Sequence, residues 1–224
     1  MTEGGRTINV TTDASGAYQA ACCGHVVVIV DVIDMSTTLE AALQSGAALV
    51  LGASPLPCRA PVPVNPAKIG SYAAMIAQRL KAEVVVIAEP RIDKPAERLK
   101  RAAGFLEGLH AAGIEEEGVY PNQGAETAGL VDFKDKVVAA VTDCGGAAFD
   151  AAFNAGAPVA TATVARTPGR TGWENAAAAL GRAARIAREE GRGISLVAAS
   201  GKALEDVLAV RYLSEQLLLQ RIRR

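Results

Sequence analysis

The sequence predicts an α/β fold of three layers, α/β/α, in which a mostly parallel sheet carries helices on both faces. The first observation is a series of short apolar runs separated by helix-length segments, and the purest of these runs is Val26–Val30. Uninterrupted β-branched runs are typical of strands buried on both faces of a parallel sheet. The second observation is that 50% of the 224 residues are apolar, with few aromatics. We therefore expect a single α/β domain over residues 1–224.

The elements follow from local signals along the chain. An edge strand is predicted at residues 6–12, followed by a turn at residues 12–16. Further strands are predicted near residues 26–30, 47–52, 83–88, 136–141, 158–164 and 194–198. Helices are predicted from about residue 36 to Gly46, at 66–81, 95–112 and 173–190, and from residue 203 onward. Residues 119–132 are expected to form a loop.

A Pro-rich segment at residues 54–66 is predicted to be an extended loop, because proline suits neither a helix interior nor a central strand. Two interpretations remain open for it. It is either a lid or surface for a neighbouring subunit, or a semi-rigid connector.

We expect the run Val26–Val30 to be the central strand of the sheet, because so pure an apolar run is rarely left at an open edge. Its expected neighbours are the strands near residues 47–52, 84–88 and 137–141.

One stretch of the chain occurs twice. Glu40–Ala47 (EAALQSGA) recurs in pattern as Asp150–Ala157 (DAAFNAGA), 110 residues later. Either the two segments close similar strand-to-helix corners, or they share only the common pattern of a helix that ends at glycine.

Charge and composition exclude several classes of protein. With 23 basic and 24 acidic residues, the formal net charge is −1, which argues against a nucleic-acid partner. No apolar run is long enough for a membrane span, and the amino-terminal MTEGGRTINV lacks a signal-peptide pattern, so a cytoplasmic protein without a membrane partner is expected. The four cysteines show no zinc-binding spacing.

The candidate site lies where three predicted strands end. Ligands of parallel α/β proteins bind at the carboxyl ends of strands, where helix amino-termini offer N–H groups to anions. We expect these three corners to converge on one pocket for a small anionic molecule. The residues concerned are Asp31, Asp34, Ser36 and Thr37 after the first of these strands, Glu89 and Arg91 after the second, and Thr142, Cys144, Gly145 and Gly146 after the third.

The string DVIDMSTTLEAALQSGA resembles the opening motif of the 2-phosphosulfolactate phosphatases, magnesium-dependent enzymes of coenzyme M biosynthesis. Two later strings, WENAAAALGRA and SGKALEDVLAVRYLSEQLL, resemble other segments of that family in order and spacing. The resemblance spans nearly the whole chain from His25.

The resemblance implies hydrolysis of a small anionic phosphate ester with Mg²⁺ held by Asp31 and Glu89. From their positions at the three corners, we take Asp31, Asp34 and Cys144 as the candidate catalytic residues. Ser36, Thr37, Arg91, Thr142, Gly145 and Gly146 are the candidate substrate-binding residues.

The chain also departs from the family pattern. Asp34 stands where the family has arginine, and the family's corner Thr-x-Asn-Gly-Thr-Arg falls on Thr142–Ala147, which keeps only Thr142 and Gly145. Arg91 or Arg170 would have to supply the missing cation. The alternative function is therefore a non-catalytic relative that binds a small ligand or serves as a scaffold. Thiol chemistry at Cys144 is a third hypothesis, and self-association into a homo-oligomer stays open.

Overall fold

The computed structural model describes residues 7–92 and 94–222, and confirms an α/β fold of parallel strands covered by helices. Residues 1–6 lie outside the described residues. They include residue 6 of the predicted edge strand and most of the amino-terminal segment in which no signal-peptide pattern was found. The strands are β1 (Ile8–Thr12), β2 (Val26–Val30), β3 (Leu49–Ala53), β4 (Val84–Ala88), β5 (Gly118–Pro121), β6 (Val137–Val141), β7 (Val159–Ala162) and β8 (Ile194–Ala198). The helices are α1 (Asp13–Cys22), α2 (Met35–Gln44), α3 (Pro66–Leu80), α4 (Pro95–Ala111), α5 (Cys144–Asn154), α6 (Gly172–Glu189) and α7 (Leu204–Ile222), with a 3₁₀ helix at Gly124–Gly129.

The described strands form two parallel sheets, in the orders β1-β8-β2-β7 and β3-β6-β4-β5. Strand β2 is an interior strand, as predicted, but its neighbours are β8 and β7. The expectation that β3, β4 and β6 flank it is wrong, because those strands belong to the second sheet. An apolar run indicates that a strand is buried, but it does not say which other strands it pairs with.

The two halves of the chain repeat the same order of elements. The first half, β1 to α4, and the second half, β5 to α7, each contain four strands, and corresponding strands begin at residues 8 and 118, 26 and 137, 49 and 159, and 84 and 194. The two sheet orders also correspond strand for strand when the second is taken from β5. The similarity of EAALQSGA and DAAFNAGA therefore belongs to a repeat that covers the described chain. Gly46 and Gly156 end equivalent helices in left-handed conformations, with φ of 91° and 86°.

Each sheet takes two strands from each half, because α2 and α5 carry the chain from one sheet to the other. Helix α2 contacts β3 and β6 of one sheet and β7 of the other, and α5 contacts β3 as well as β2 and β7. These two helices lie between the sheets. Eight consecutive residues of each are buried, namely Met35–Ala42 and Gly145–Ala152.

Helices cover the remaining faces. The side chains of Val26, Val28 and Val30 pack in the core beside α6 and α7, whereas Val27 and Ile29 point into the larger core between the sheets. Helices α3 and α4 pack on the second sheet. Among the described residues, no helix is both long and apolar enough to cross a membrane.

Two predicted loops contain regular structure. The turn expected at residues 12–16 is the beginning of α1, whose buried face consists of Ala and Gly and packs on α5. Small residues give such a helix a weak apolar periodicity, which explains why the sequence did not reveal it. Within the loop predicted at residues 119–132, the structure has the end of β5 and the 3₁₀ helix.

The Pro-rich loop, which the structure describes throughout, contains neither helix nor strand between β3 and α3, in agreement with its prediction as a loop. The carboxylate of Asp150 holds both of its ends. Asp150 Oδ2 accepts a hydrogen bond from Ser54 Oγ at 2.6 Å, and Asp150 Oδ1 accepts one from the Asn65 N–H at 2.7 Å. Asp150 is fully buried in α5. Glu40, its counterpart in α2, is also fully buried and pairs with Arg182 and Thr161.

Candidate functional site

The corner between β2 and α2 places Asp31 beneath the amino-terminus of α2. Asp31 is only 6% exposed, and its Oδ1 accepts a hydrogen bond from the Asp34 N–H at 3.2 Å. Asp34 occupies the N-cap position of α2. The corner therefore holds a buried carboxylate directly behind a second carboxylate that is partly exposed.

Ser36 and Thr37 build this corner from within. Ser36 Oγ donates to the Ile29 carbonyl at 3.0 Å and accepts from the Asp31 N–H at 3.0 Å. Thr37 Oγ1 lies 2.7 Å from Thr163 Oγ1 and also donates to the Val32 carbonyl. Because both side chains are buried and their hydroxyl groups are engaged, the structure places them in the frame of the corner and not on the cleft surface.

The corner between β6 and α5 meets Asp31 through Gly145. A β-carbon at position 145 would collide with Asp31 Oδ2, and one at position 146 would collide with the Ala53 carbonyl. Thr142 Oγ1 accepts a hydrogen bond from the Gly146 N–H at 2.9 Å. These glycines thus permit close packing between the two halves of the chain, and the Thr142 hydroxyl caps α5.

Arginine side chains accompany the acids at the front of the site. Arg91 forms an ion pair with Asp34 and donates to the Ile33 carbonyl at 3.2 Å. Arg101 pairs with Asp143 at 2.6 Å and lies 3.9 Å from Glu89. Of the two arginines considered as replacements for the missing cation, Arg91 belongs to this cluster, whereas Arg170 interacts with Glu40 and Glu174 elsewhere.

Asp206, near the start of α7, completes the acidic group. Its Oδ1 accepts a hydrogen bond from the Val32 N–H at 2.9 Å, and its Oδ2 accepts one from the Ser200 N–H at 3.3 Å. This residue therefore ties the corner after β2 to the corner after β8.

Burial and repulsion from neighbouring carboxylates raise the pKa values of three carboxyl groups in this cluster, those of Asp31, Glu89 and Asp206. Burial, with the nearby carboxylates of Asp34 and Asp206, raises the pKa of Asp31 to about 7. Burial, with Asp34 and Asp143, raises the pKa of Glu89 to about 7 despite the opposing effect of Arg101. Burial also raises the pKa of Asp206 to about 6. Perturbed carboxylates of this kind cluster at functional sites.

Cys144 begins α5 on the exposed side of the same cluster. Partial burial raises the pKa of its thiol, and Asp31 and Asp143 raise it further. The hypothesis of a stabilised thiolate therefore has no support here, because burial and the nearby acids all favour the neutral thiol.

The cluster opens onto two adjoining concavities. One has a volume of about 410 Å³, and its lining includes Asp13, Arg59, Asp143 and Cys144. The other, of about 190 Å³, lies between Glu89, Arg91, Arg101 and Asp143. Asp143 lines both. Arg59 comes from the Pro-rich loop, so this loop forms part of the cleft wall.

The structure thus brings together Asp31, Asp34, Glu89, Arg91, Cys144 and Gly145. Arg101, Arg59 and Asp13 were not among the residues predicted for the site. Asp206 was not predicted either, although it belongs to the closing string SGKALEDVLAVRYLSEQLL that resembles the family. The position of Arg101 depends on how α4 packs, which helix periodicity alone does not reveal.

The carboxylates of Asp31 and Glu89 are of the chemical type that binds a hard divalent cation such as Mg²⁺. Mg²⁺ commonly binds through one or two carboxylates and completes its coordination shell with water and substrate phosphate. The carboxyl groups of Asp31 and Glu89 have raised pKa values, and a bound cation would stabilise their ionised forms. Among the described residues, three ligand atoms within 4.8 Å of one another occur only at His110, Glu115 and Glu116, at the opposite ends of the strands. The acids of the cleft therefore do not form a closed cage.

Comparisons with known proteins add no relative. Neither the family models, nor the curated proteins, nor the solved structures contain a match to this chain.

Proposed function

We propose that the cleft binds a small anionic phosphate ester and hydrolyses it with the help of Mg²⁺, in the manner of the 2-phosphosulfolactate phosphatases that the sequence motifs resemble. The observation that carries the proposal is that two carboxyl groups of raised pKa, Asp31 and Glu89, lie in the same cluster as the guanidinium groups of Arg91 and Arg101. Arg91 is paired there with Asp34, and Arg101 lies 3.9 Å from Glu89. This arrangement supplies groups that bind a cation and groups that bind an anion at one edge of the molecule.

Asp31 and Glu89 would hold the metal ion. When bound, Mg²⁺ polarises a phosphoryl group and lowers the pKa of a bound water. The chain itself provides the rigid support, because Asp31 is held by the Asp34 N–H and packed against Gly145. These contacts hold the Asp31 carboxylate in one orientation before a ligand enters.

Arg91 and Arg101 would meet the anionic groups of the ester. Guanidinium groups bind phosphate oxygens through two parallel hydrogen bonds. Both side chains now neutralise carboxylates, Asp34 and Asp143, at the cleft surface. A phosphate dianion would compete with those carboxylates, so binding of the free ester is expected to be weak.

A carboxyl group with a pKa of about 7 can also hold and release a proton at neutral pH. Glu89 lines the smaller concavity beside Arg91 and Arg101. When no cation is bound, it is the residue best placed to exchange a proton with a ligand there.

A substrate screen tests the proposal. The purified protein is assayed for phosphate release from small phosphate esters, including phosphosulfolactate, with and without Mg²⁺. Asp31→Asn serves as the inactive control. We expect weak, Mg²⁺-dependent release that Asp31→Asn abolishes.

A non-catalytic role is the second candidate, favoured by the ion pairs that occupy Arg91 and Arg101. Calorimetric binding of Mg²⁺ together with a phosphate ester, without phosphate release from any ester, would favour this role and contradict the enzymatic one.

A further inference from the structure

Helix α7 carries a stripe of residues on its outer face that nothing covers within the described chain. Leu204, Leu208, Arg211, Glu215 and Leu218 follow one another at alternating spacings of four and three residues, which is the heptad spacing of a helix that packs along another helix. Leu204, Leu208 and Leu218 are 67%, 52% and 49% exposed. The opposite face of α7 is buried against the first sheet through Ala209, Val210, Leu213 and Leu217.

Helix α4, which corresponds to α7 in the first half of the chain, packs closely against its neighbour α3. A β-carbon at Gly70 would collide with the Phe105 carbonyl and one at Gly108 with the Ala67 carbonyl. Helices α6 and α7 instead leave a groove of about 230 Å³, whose lining includes Trp173, Tyr212 and Leu219. Trp173 is 64% exposed. The apolar surface around α7 is therefore wider than the stripe itself.

The charges in the middle of the stripe have no partner in the described residues. Arg185 and Glu189 on α6 form an i,i+4 ion pair, but Arg211 and Glu215, at the same spacing on α7, form none within the part of the chain that the structure describes. The order of these two residues, arginine before glutamate, is the less favourable one for a pair within a helix.

The stripe is complementary to itself when it is reversed. If two copies of α7 lie antiparallel with their centres at Leu213, Arg211 of each copy faces Glu215 of the other, and Leu208 of each faces Leu218 of the other. In heptad terms each a position then meets a d position, as antiparallel helix pairs require. A two-fold axis produces both ion pairs at once, since such an interface uses the same surface on both copies.

We propose that the chain forms a homodimer through the outer face of α7, with two antiparallel helices related by a two-fold axis that passes between them at the level of position 213. The two Arg211–Glu215 pairs set the register, and the leucine layers and the neighbouring Trp173 and Tyr212 supply the apolar area. The occupant of this surface is thus a second copy of the same chain.

Charge reversal tests both the surface and the register. Sedimentation velocity over a range of protein concentrations measures the dimer dissociation constant of the wild type and of variants. Arg211→Glu and Glu215→Arg each place like charges opposite one another, and each is expected to weaken dimerisation at least about tenfold. Arg185→Glu on α6 is the matched control, and it should leave the dissociation constant unchanged.

Two further experiments, on a double variant and on a mixture of the two single variants, distinguish the proposed register from a general effect of charge. The double variant Arg211→Glu, Glu215→Arg restores opposite charges and should dimerise like the wild type. A mixture of the two single variants should form a heterodimer, since glutamates of one chain then face arginines of the other. A wild type that stays monomeric at high micromolar concentration overturns the proposal, as does a dimer that Arg211→Glu leaves intact or a mixture that does not associate.

Discussion

Asp31 Oδ2 packs against the α-carbon of Gly145, so a buried carboxylate from one half of the chain touches the first turn of a helix from the other half. The contact joins the corner after β2 to the corner after β6. It also leaves no room for a side chain at position 145. Gly145 is therefore a packing requirement of the candidate site, in addition to any contact it makes with a ligand.

Replacement of Gly145 by alanine should displace Asp31. We expect Gly145→Ala to lower the free energy of unfolding by roughly 1–3 kcal/mol, the usual cost of overpacking, and to reduce the stabilisation that Mg²⁺ provides. Urea unfolding with and without Mg²⁺ measures both. Gly181→Ala on α6 is the control, since a β-carbon there meets nothing within 4 Å. Helix propensity predicts that this variant is more stable by about 0.5–1 kcal/mol. Equal effects from the two substitutions would contradict the role of the Asp31–Gly145 contact.

The raised pKa of Asp31 predicts how stability depends on pH. The carboxyl has a pKa of about 7 in the folded protein, against an ordinary value of 3.8, so folding favours its protonated form. The protonated Asp31 carboxyl therefore contributes to the free energy of unfolding. This contribution is fully present below the pKa of the unfolded chain and is lost as the pH rises through about 7. Asp31→Asn should therefore leave stability at pH 4 nearly unchanged and raise it at pH 8, by up to about 4 kcal/mol.

Urea titrations of the wild type and Asp31→Asn at several pH values measure this difference. Mg²⁺ should stabilise the wild type more at pH 8 than at pH 5, because it binds the ionised carboxylate, and it should not stabilise Asp31→Asn. Glu189→Gln, an exposed acid on α6, is the control. Parallel stability curves for the wild type and Asp31→Asn would show that Asp31 titrates normally.

The ion pair between Arg91 and Asp34 predicts how anion affinity changes with charge. Asp34→Asn releases Arg91 and removes a negative charge from the cleft, so affinity for inorganic phosphate should rise about 3- to 10-fold. Because both side chains are partly exposed, stability should change by less than about 1 kcal/mol. Isothermal titration calorimetry with phosphate is the measurement.

A second variant extends this test. Asp34→Arg together with Ala147→Arg restores cations at both positions where the resembling family has arginine, and should bind phosphate or a sulfonate more tightly than the wild type does. No gain in a folded double variant would show that these positions do not face the ligand. Glu189→Gln should leave phosphate binding unaltered.

Asp150 holds the Pro-rich loop at both ends, through Ser54 and Asn65. Asp150→Ala should destabilise the protein by roughly 2–4 kcal/mol, because it leaves buried donors without acceptors. Arg59 is already exposed, and release of the loop ends should let this segment enter the active site of trypsin, so native-state cleavage there should become faster. Limited proteolysis followed by mass spectrometry detects cleavage after Arg59. Glu40→Ala removes the corresponding buried acid of the other half, so it should destabilise the fold without accelerating that cleavage. Equal cleavage in both variants would mean that Asp150 does not hold the loop.

The sequence by itself determined the class of fold and the position of most elements. Runs such as Val26–Val30 and Val84–Ala88 require burial on both faces, and buried β-branched runs between helices specify parallel strands. The acids at the carboxyl ends of strands, Asp31 and Glu89, were also evident from sequence, because a polar residue directly after such an apolar run marks the end of a buried strand. The similar helix ends at Gly46 and Gly156 were also evident, but the sequence left open whether they marked a repeat or only a common helix-stop pattern.

Tertiary structure alone decided how these parts combine. The exchange of strands between the two halves depends on pairing across more than 100 residues, as between Ile8 and Ile194, and local periodicity has no bearing on that choice. The same holds for the site. Arg101 reads as an exposed helical residue until the packing of α4 brings it to Glu89 and Asp143, and the pKa of Asp31 reflects burial under neighbours that come from α5 and α7. Charge and burial at the cleft are properties of spatial proximity, which the order of residues along the chain does not specify.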